Sequence, residues 1–453
     1  MEGKMKDIPK SVLVSTKRQR IAKLAKQMRG KALHSLSHHI DLEWMGEAYR
    51  RTRKKGATGI DGQTAAEFAV DLRGNLERLL KEAKEGSYRA PPVKRVYIPK
   101  TGSAKGRPIG IPTFSDKVLQ RAAALALEPV YEQDFKDFSY GFRPGRSAHD
   151  ALAALQRALW EMDGGVVFEV DISKFFDNLD HEKLRDILRQ RVTDGVLVRL
   201  VGKWLNAGVL DGGVMTHPEA GTPQGGVISP LLANIYLHEV LDTWWVRDVE
   251  PLLKGRAKLI RYADDFVIVF QLEEDARRVQ AVIGKRFARY GLTLHPEKTR
   301  MVPFRCPRSR RPPKGTDDDP KPGSFDFLGF THYWGRARDG RWIPKQKTAK
   351  SRFSQKVREI GQWCRKGRHL PLKVQAKTLG AKLRGHFQYY GITGNSKSLV
   401  RFRREVERVW HKWLSRRSQK SAMTWEKFQK LLEHYPLPPP RCVHSAYRQP
   451  AKL

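Results

Sequence analysis

The stretch that most constrains the fold is Leu259 to Phe270, LIRYADDFVIVF. Two short apolar runs rich in Val, Ile, Phe and Tyr, residues that favour strands, flank a pair of adjacent aspartates. The pattern predicts a tight β-hairpin with Ala263, Asp264 and Asp265 at or near its turn, which places carboxylates on a rigid support. Asp is also common in turns because its side chain bonds the local backbone, so the pair alone assigns no role. A third acid shifts the balance. Asp171 stands in the middle of VVFEVDISKFF (Val166 to Phe176), a hydrophobic strand where a half-buried charge is expensive unless it is paired or binds a cation. Three converging acids suit Mg²⁺, which takes oxygen ligands and is usually held by one or two carboxylates plus substrate phosphates. A pair of such ions can clamp the attacking and leaving oxygens of a phosphoryl transfer.

Charge points to the same kind of substrate. The 453 residues carry 86 Lys and Arg against 48 Asp and Glu, a formal net charge of +38. A polyanion is implied, and nucleic acid fits better than a membrane surface, since no amphipathic basic helix stands out as interfacial. From Arg341 to Leu453 there are 28 Lys and Arg against 5 acids, so the C-terminal part carries the strongest electrostatic footprint. Cys306, Cys364 and Cys442 form no CxxC pair and read as reduced thiols of a cytosolic protein, without a disulfide framework or zinc finger. No run reaches the ~18 apolar residues of a membrane span, and the N-terminus lacks the apolar core of a signal peptide, so a cytoplasmic location is expected.

Along the chain, residues 1–30 are basic, with Ile21, Leu24 and Met28 at helical spacing, and read as a solvated helix or a basic arm. Leu33 to Tyr49 reads as helix, and Gly59 and Gly62 mark a turn in which Asp61 is a turn or capping residue. Val93 to Ile98 and Arg107 to Ile111 predict a second hairpin. Within SYGFRPGRSAHDAL, Arg143 and Arg146 either contact phosphates or bond loop carbonyls. Asp177, Asn178 and Asp180 look like turn and N-cap residues before a helix near His181, itself given no chemical role. GTPQGGVISP (Gly221 to Pro230) is a Gly-rich loop whose backbone can approach a ligand closely, followed by a helix over Leu231 to Trp245. Another helix has Val279, Val282, Ile283 and Phe287 on one face. Pro303 to Gly323, with six prolines and the run Asp317 to Asp319, is an exposed loop and its acids are no metal site. FDFLGF (Phe325 to Phe330) is a short apolar strand, and a helix follows Thr348. Leu399, Phe402, Val406, Val409, Trp410 and Trp413 give a helix an apolar stripe, while its other positions include Arg401, Arg403, Arg404, Arg408 and Lys412, a basic face suited to phosphates.

With these motifs in this order, the chain resembles the reverse transcriptases, and most nearly the multifunctional reverse transcriptase and maturase proteins encoded by bacterial group II introns. The resemblance runs from about Leu33 to Ser445, through Asp171 with Phe175-Phe176, Thr222 to Gly226, and Tyr262 to Asp265. It implies an α+β fold: a right-hand polymerase with fingers and an α/β palm, followed by a helical thumb and maturase domain. The boundaries expected are a basic N-terminal extension at 1–32, fingers at 33–160, palm at 161–335 and thumb with RNA-binding domain at 336–453.

It also implies roles. Asp171, Asp264 and Asp265 would be the catalytic acids and ligands of two Mg²⁺ ions. Lys100 and Arg107 would sit over the triphosphate, Phe176 under the sugar of the incoming nucleotide, and Gln224 and Tyr262 at the substrate. Lys298 would protonate leaving pyrophosphate, with a surface salt-bridge lysine as the rival reading, and Phe325 to Phe330 match the primer grip. The implied partners are the group II intron RNA, in a ribonucleoprotein that assists splicing, an RNA template with DNA primer, dNTPs and a DNA target. No His and Cys constellation of an HNH-type endonuclease follows, so DNA cleavage is not expected. The rivals are a domesticated reverse transcriptase of a defence system and an RNA-binding splicing factor without polymerase activity. Oligomeric state is left open.

Overall fold

The computed structural model describes residues 11–98, 106–216, 220–221, 225–307, 323–337, 339–418 and 423–444. Its elements begin with helices α1 (Ser11–Gln27), α2 (Leu42–Arg51), α3 (Ala65–Phe68) and α4 (Leu72–Glu85), strands β1 (Val93–Ile98) and β2 (Arg107–Ile111), and helices α5 (Phe114–Tyr131) and α6 (Ala148–Glu161). Next come β3 (Val166–Val170), α7 (His181–Arg191), α8 (Gly195–Leu205), β4 (Val209–Asp211), β5 (Val214–Thr216) and α9 (Ser229–Leu237), then β6 (Ala257–Tyr262), β7 (Asp265–Phe270) and α10 (Glu273–Ala288). The last are β8 (Arg300–Pro303), β9 (Phe325–Phe327), β10 (Phe330–Arg336), β11 (Trp342–Thr348), α11 (Lys350–Lys366), α12 (Leu372–Tyr390), α13 (Ser396–Leu414) and α14 (Trp425–His434). The strands form three sheets, ordered β2-β1-β4-β5, β6-β7-β3-β8 and β11-β10-β9. This is the mixed α and β architecture expected of fingers, palm and a helical C-terminal part.

By its internal contacts the chain divides into two compact units, one of residues 1–151, 170–266 and 272–300, the other of residues 152–169, 267–271 and 301–453. In the first, α5 buries Val118, Leu119, Ala122, Ala123, Leu125, Ala126 and Leu127 and leaves the face of Lys117, Arg121 and Glu128 half-buried. Helix starts follow local chemistry. Thr64 and Glu67 make a capping box, and Asp180 and Asp194 cap α7 and α8 through backbone amides. Asp61 accepts from the Gln63 amide at 3.1 Å, the turn role expected of it. The predicted hairpin is present in register Lys94↔Ile111 to Ile98↔Arg107, and β1 also pairs in parallel with β4, a strand too short to be read from sequence.

Three expectations change. The N-terminal basic segment is over Ser11–Gln27 a packed helix: Val14, Ile21 and Ala25 are buried, Leu24 is exposed, and Arg18 and Lys17 pair with Glu128 and Asp41. The helix expected over Leu33 to Tyr49 begins only at Leu42, because Leu33 exchanges backbone hydrogen bonds with Arg191 and Thr193. In α10 the apolar face is Val279, Ile283 and Phe287, with Val282 45% exposed.

In the second unit FDFLGF is a hairpin rather than one strand, since Leu328 and Gly329 both take positive φ and turn β9 into β10. Its helical part packs Leu399, Phe402, Val406, Trp410 and Leu414 of α13 with Leu379, Leu383 and Phe387 of α12 and Phe428 of α14. Val409 and Trp413 pack at the margin of this core.

Candidate active site

The β6–β7 turn is where backbone, burial and charge meet, and the described side chains that support it, Asn234, Asp242 and Arg261, lie in the first unit. Ala263 holds φ +59°, in the left-handed region, which costs a non-glycine residue about 1 kcal/mol. The strain persists because the turn is gripped from behind. Arg261 is fully buried; it donates from Nη1 to the Ala263 carbonyl (3.1 Å) and to Asn234 Oδ1 (3.0 Å), and from Nε to Asp242 Oδ1 (2.8 Å). Asn234 in turn donates to the Gly141 carbonyl at 2.7 Å. The SYGFRPG segment runs beside β6, with Arg261 N donating to Phe138 O (2.9 Å) and Tyr140 N to Arg261 O (2.8 Å). Gly141 passes so close that a Cβ there would lie 2.3 Å from the Ala263 nitrogen, so only glycine fits. A charged residue inside an otherwise apolar strand was the sequence signal for Arg261, since such a group must have a partner; the partner, Asp242, cannot be named from spacing.

On this support Asp264 is held partly buried and Asp265, the first residue of β7, is exposed. Burial pushes the Asp264 carboxyl above its ordinary range; the nearby Asp171 charge adds to the rise, and Arg107 and Arg261 oppose it. Asp171, Asp264 and Arg107 thus share one electrostatic neighbourhood. Asp171 follows β3, and its backbone is fixed by His295 N donating to its carbonyl (2.7 Å). Lys298 donates to Asp171 Oδ2 at 2.6 Å, with 56% of the lysine side chain exposed. The surface salt bridge weighed for Lys298 is thus made, and its partner is the candidate catalytic acid.

Among the described residues no group of three His, Cys, Asp or Glu forms a ready metal cage. The donor chemistry still suits a hard cation. The donors are carboxylate oxygens, two of which are close enough for mutual repulsion to raise Asp264, and one of which already draws an ammonium. Mg²⁺ completes its shell with substrate phosphates and water, so a three-acid cage is not required.

The remaining predicted residues sort unequally. Phe176 is buried and packs edge-on to Phe175 at 5.3 Å, so both rings lie in the core. Tyr262 is half-buried, 6.4 Å from the ring of Phe142, which is itself 55% exposed with φ +57°. Arg143 takes the second of its two readings. It is buried, bonds Glu132 through Nε and Nη2, and donates from Nη1 to the carbonyls of Lys136 (2.7 Å) and Ser139 (2.8 Å), so its guanidinium is spent on the loop rather than on a phosphate. Arg146 also bonds the loop, through the Asp137 carbonyl and carboxylate, but remains partly exposed. Lys100 and Gln224 lie outside the described residues, as does the acid run Asp317 to Asp319.

The flanks of the Gly-rich loop are held by neighbouring elements. His181 is buried, with Nε2 at the Gly221 carbonyl. Gly225, at φ +122°, owes its glycine to β2: a Cβ would come 2.5 Å from the Gly110 carbonyl oxygen. Beyond it, Gln120 Oε1 accepts from Val227 N (2.7 Å) and Ile228 N (3.3 Å) while its Nε2 donates to Asp116 Oδ2 (2.9 Å). Asp116 is buried, and its other oxygen accepts from Tyr88 (2.6 Å) and Trp204 Nε1 (2.7 Å). Burial raises its carboxyl to about 6 against the pull of these donors. Sequence reading passed over all four residues, although an acid in the midst of so apolar a helix was the available signal.

In the second unit, Arg401, Arg404, Arg408 and Lys412 recur at spacings of three and four on the exposed face of α13, as predicted. Arg403 lies apart from them, paired with Glu407 at 2.9 Å. Among the described residues, no helix is long and apolar enough to cross a membrane.

Residues 98–332 match the model of the family described as reverse transcriptase (RNA-dependent DNA polymerase). Protein YkfC of Escherichia coli (strain K12) is 38% identical over 261 residues, which cover 50% of this chain and 68% of YkfC. Group II intron-encoded protein LtrA of Lactococcus lactis subsp. cremoris is 43% identical over 192 residues, 41% of this chain but 31% of LtrA. Nuclear intron maturase 2, mitochondrial, of Arabidopsis thaliana is 28% identical over 180 residues, 31% of this chain and 24% of that protein.

Proposed function

Because the chain belongs to the reverse transcriptase (RNA-dependent DNA polymerase) family and is similar to a group II intron-encoded protein and an intron maturase, we propose that it is an intron-encoded RNA-directed DNA polymerase that also binds its intron RNA. In this reading the 3′-hydroxyl of a DNA primer attacks the α-phosphate of a dNTP and pyrophosphate leaves. The observation that carries it is that partly buried Asp264, on the strained β6–β7 turn, feels the charges of both Asp171 and Arg107, and that Lys298 is bonded to Asp171.

Asp171 and Asp264, with Asp265 beside them, would hold two Mg²⁺ ions, which when bound supply the positive charge that phosphoryl transfer needs. Arg107 and, by the family resemblance, Lys100 would neutralise triphosphate oxygens as pyrophosphate departs. Lys298, bonded to Asp171, would exchange that partner for the substrate and give a proton to the leaving group. Phe176 would set the floor under the sugar, with Gln224 and Tyr262 at the nucleotide. The first unit then supplies fingers and most of the palm. The basic face of α13 belongs to the thumb and maturase part that clasps intron RNA, so that the protein assists splicing and later copies the intron into a DNA target.

The test is primer extension on poly(rA)/oligo(dT) with Mg²⁺ and dTTP. Wild type should extend, and Asp264→Asn should lose about 10²-fold or more, the loss typical of removing one preorganised electrostatic group. Absence of extension by a folded wild-type protein that still binds structured RNA would sink the polymerase and leave the RNA-binding reading.

A further inference from the structure

On the second unit, one side of α13 and the start of α14 enclose an open cavity of about 820 Å³. Its wall combines cations with an exposed aromatic ring: Lys397, Arg401, Arg404 and Arg408 from α13, the aliphatic Val400, and Trp425 from α14. Two acids also line it, and both are engaged: Glu407 by Arg403 at 2.9 Å and Glu405 by Arg408 at 3.5 Å. The net character is cationic.

Trp425 is the unusual member. An indole left 48% exposed normally finds cover, since aromatic burial is among the larger apolar gains available to a chain. This one is also fixed in place. Its ring stacks on Phe428 with centroids 5.3 Å apart and planes 9° from parallel, and the His411 ring meets it at 4.5 Å and 60°. Its backbone is set by the Thr424 cap of α14. The result is a pre-oriented aromatic platform on the wall of a cavity whose other side is a row of arginines. Cavities of several hundred Å³ accommodate ligands the size of a nucleotide.

We propose that this cavity takes an unpaired nucleotide of a single-stranded nucleic acid, the base stacking on Trp425 and the flanking phosphates meeting Arg401, Arg404 and Arg408. A base within a duplex is covered on both faces by its neighbours and cannot offer one to the indole, whereas an unstacked base can. The pocket therefore prefers single strands, loops and bulges over regular helix. Lys412, on the same face of α13 but outside the cavity lining, serves the backbone only. The proposal rests on the RNA-binding half of the function above and specifies its ligand.

The test uses the full chain and fluorescein-labelled A8 RNA, the same strand as DNA, and a blunt RNA duplex of equal length, followed by anisotropy across a salt series. Trp425→Ala should weaken A8 binding about tenfold, within the range for loss of one base–aromatic stack, with duplex affinity and salt slope unchanged. Trp425→Phe should restore most of the loss, which separates stacking from misfolding. Arg404→Ala/Arg408→Ala should instead flatten the log–log salt slope by about 1.4, at roughly 0.7 per single-strand phosphate. The DNA arm decides whether the sugar is read: equal sensitivity of RNA and DNA to Trp425→Ala supports a pocket for either strand, and RNA-only sensitivity supports a pocket for RNA. A Trp425→Ala protein that loses A8 and duplex binding alike, or neither, overturns the pocket while leaving RNA binding in place. A folded wild type that binds none of the three probes overturns the RNA-binding reading itself.

Discussion

Two aspartates in the first unit are equally removed from water and behave in opposite ways. Asp116 is 2% exposed and Asp242 is 0% exposed. Asp116 receives three hydrogen bonds from neutral donors, Tyr88, Trp204 and Gln120, and burial still pushes its carboxyl up to about 6. Burial works against the charge of Asp242 as well, but the Arg261 guanidinium beside it, with His238 Nδ1 3.6 Å away, holds its carboxyl below the usual range. At Asp116 three neutral side-chain donors place the carboxylate without offsetting its burial, whereas at Asp242 the guanidinium holds the charge. Each acid anchors a different part of the candidate site. Asp242 acts through Arg261 on the turn that carries Asp264, and Asp116 acts through Gln120 on the amides that follow the Gly-rich loop.

The largest effect should come from taking the cation away. Arg261→Met leaves the Asp242 charge buried and unpaired, and loss of one partner of such a pair costs about 3–5 kcal/mol, to be read by chemical denaturation. Asp242→Leu in the same protein should return much of that stability, because a buried ion pair contributes little over an apolar replacement. Primer extension should stay low in the double variant, since the Ala263 carbonyl has still lost its donor. If the double variant recovers both stability and extension, Arg261 is structural only and has no part in positioning the turn.

The second effect is a pH dependence of opposite sign in the two acids. Asp116 holds its proton in the folded state up to about pH 6, against roughly 3.9 when unfolded. Its folded carboxyl is raised, so the native state binds more protons between those values and stability falls as pH rises through that window, by about 3 kcal/mol at most. Asp242 has a lowered folded value, so its contribution is complete above the unfolded value and is lost only on acidification below it. Denaturation between pH 4.5 and 6.5 should show a decline in wild type that Asp116→Asn abolishes. The Lys117 charge pulls Asp116 downward, and Lys117→Met should move the decline to slightly higher pH. An unchanged slope in Asp116→Asn would mean that the donors around Asp116 keep it ionised after all.

The contrast also explains what could be read from sequence. LIRYADDFVIVF declares a hairpin because strand-forming residues and turn residues alternate over a span shorter than either partner strand needs to find another. The β1–β2 hairpin and the stripe of α13 were legible for the same local reason. What escaped is long-range: Arg261 with Asp242, nineteen positions apart, and Gln120 with Val227, 107 positions apart. Each is an ordinary polar residue in an apolar context, and only the fold supplies its partner. Arg143 shows the cost of reading charge without burial, since its loop lies where a phosphate contact is plausible yet its guanidinium is already consumed by Glu132 and two carbonyls. Short strands such as β4 and β5, three residues each, carry too little pattern to be seen at all.

The smallest effect belongs to the link between the neutral acid and the loop. Gln120→Leu keeps the volume but removes the acceptor for the Val227 and Ile228 amides and one donor to Asp116. Buried groups left unpaired cost about 1–3 kcal/mol, so stability should fall less than in Arg261→Met, and the Asp116 decline should shift to higher pH because a donor that favoured its charged form is gone. The kinetic signature is more telling than the stability. Gln120 touches the backbone that follows the loop bearing Gln224, with no contact to Asp264 or Asp171 among its hydrogen bonds. Its loss should therefore raise KM for dNTP by about tenfold, the weight of roughly one lost hydrogen bond, while kcat at saturating dNTP changes little. A fall in kcat with KM unchanged would tie Gln120 to the turn instead, and would erase the division of labour between the two buried acids.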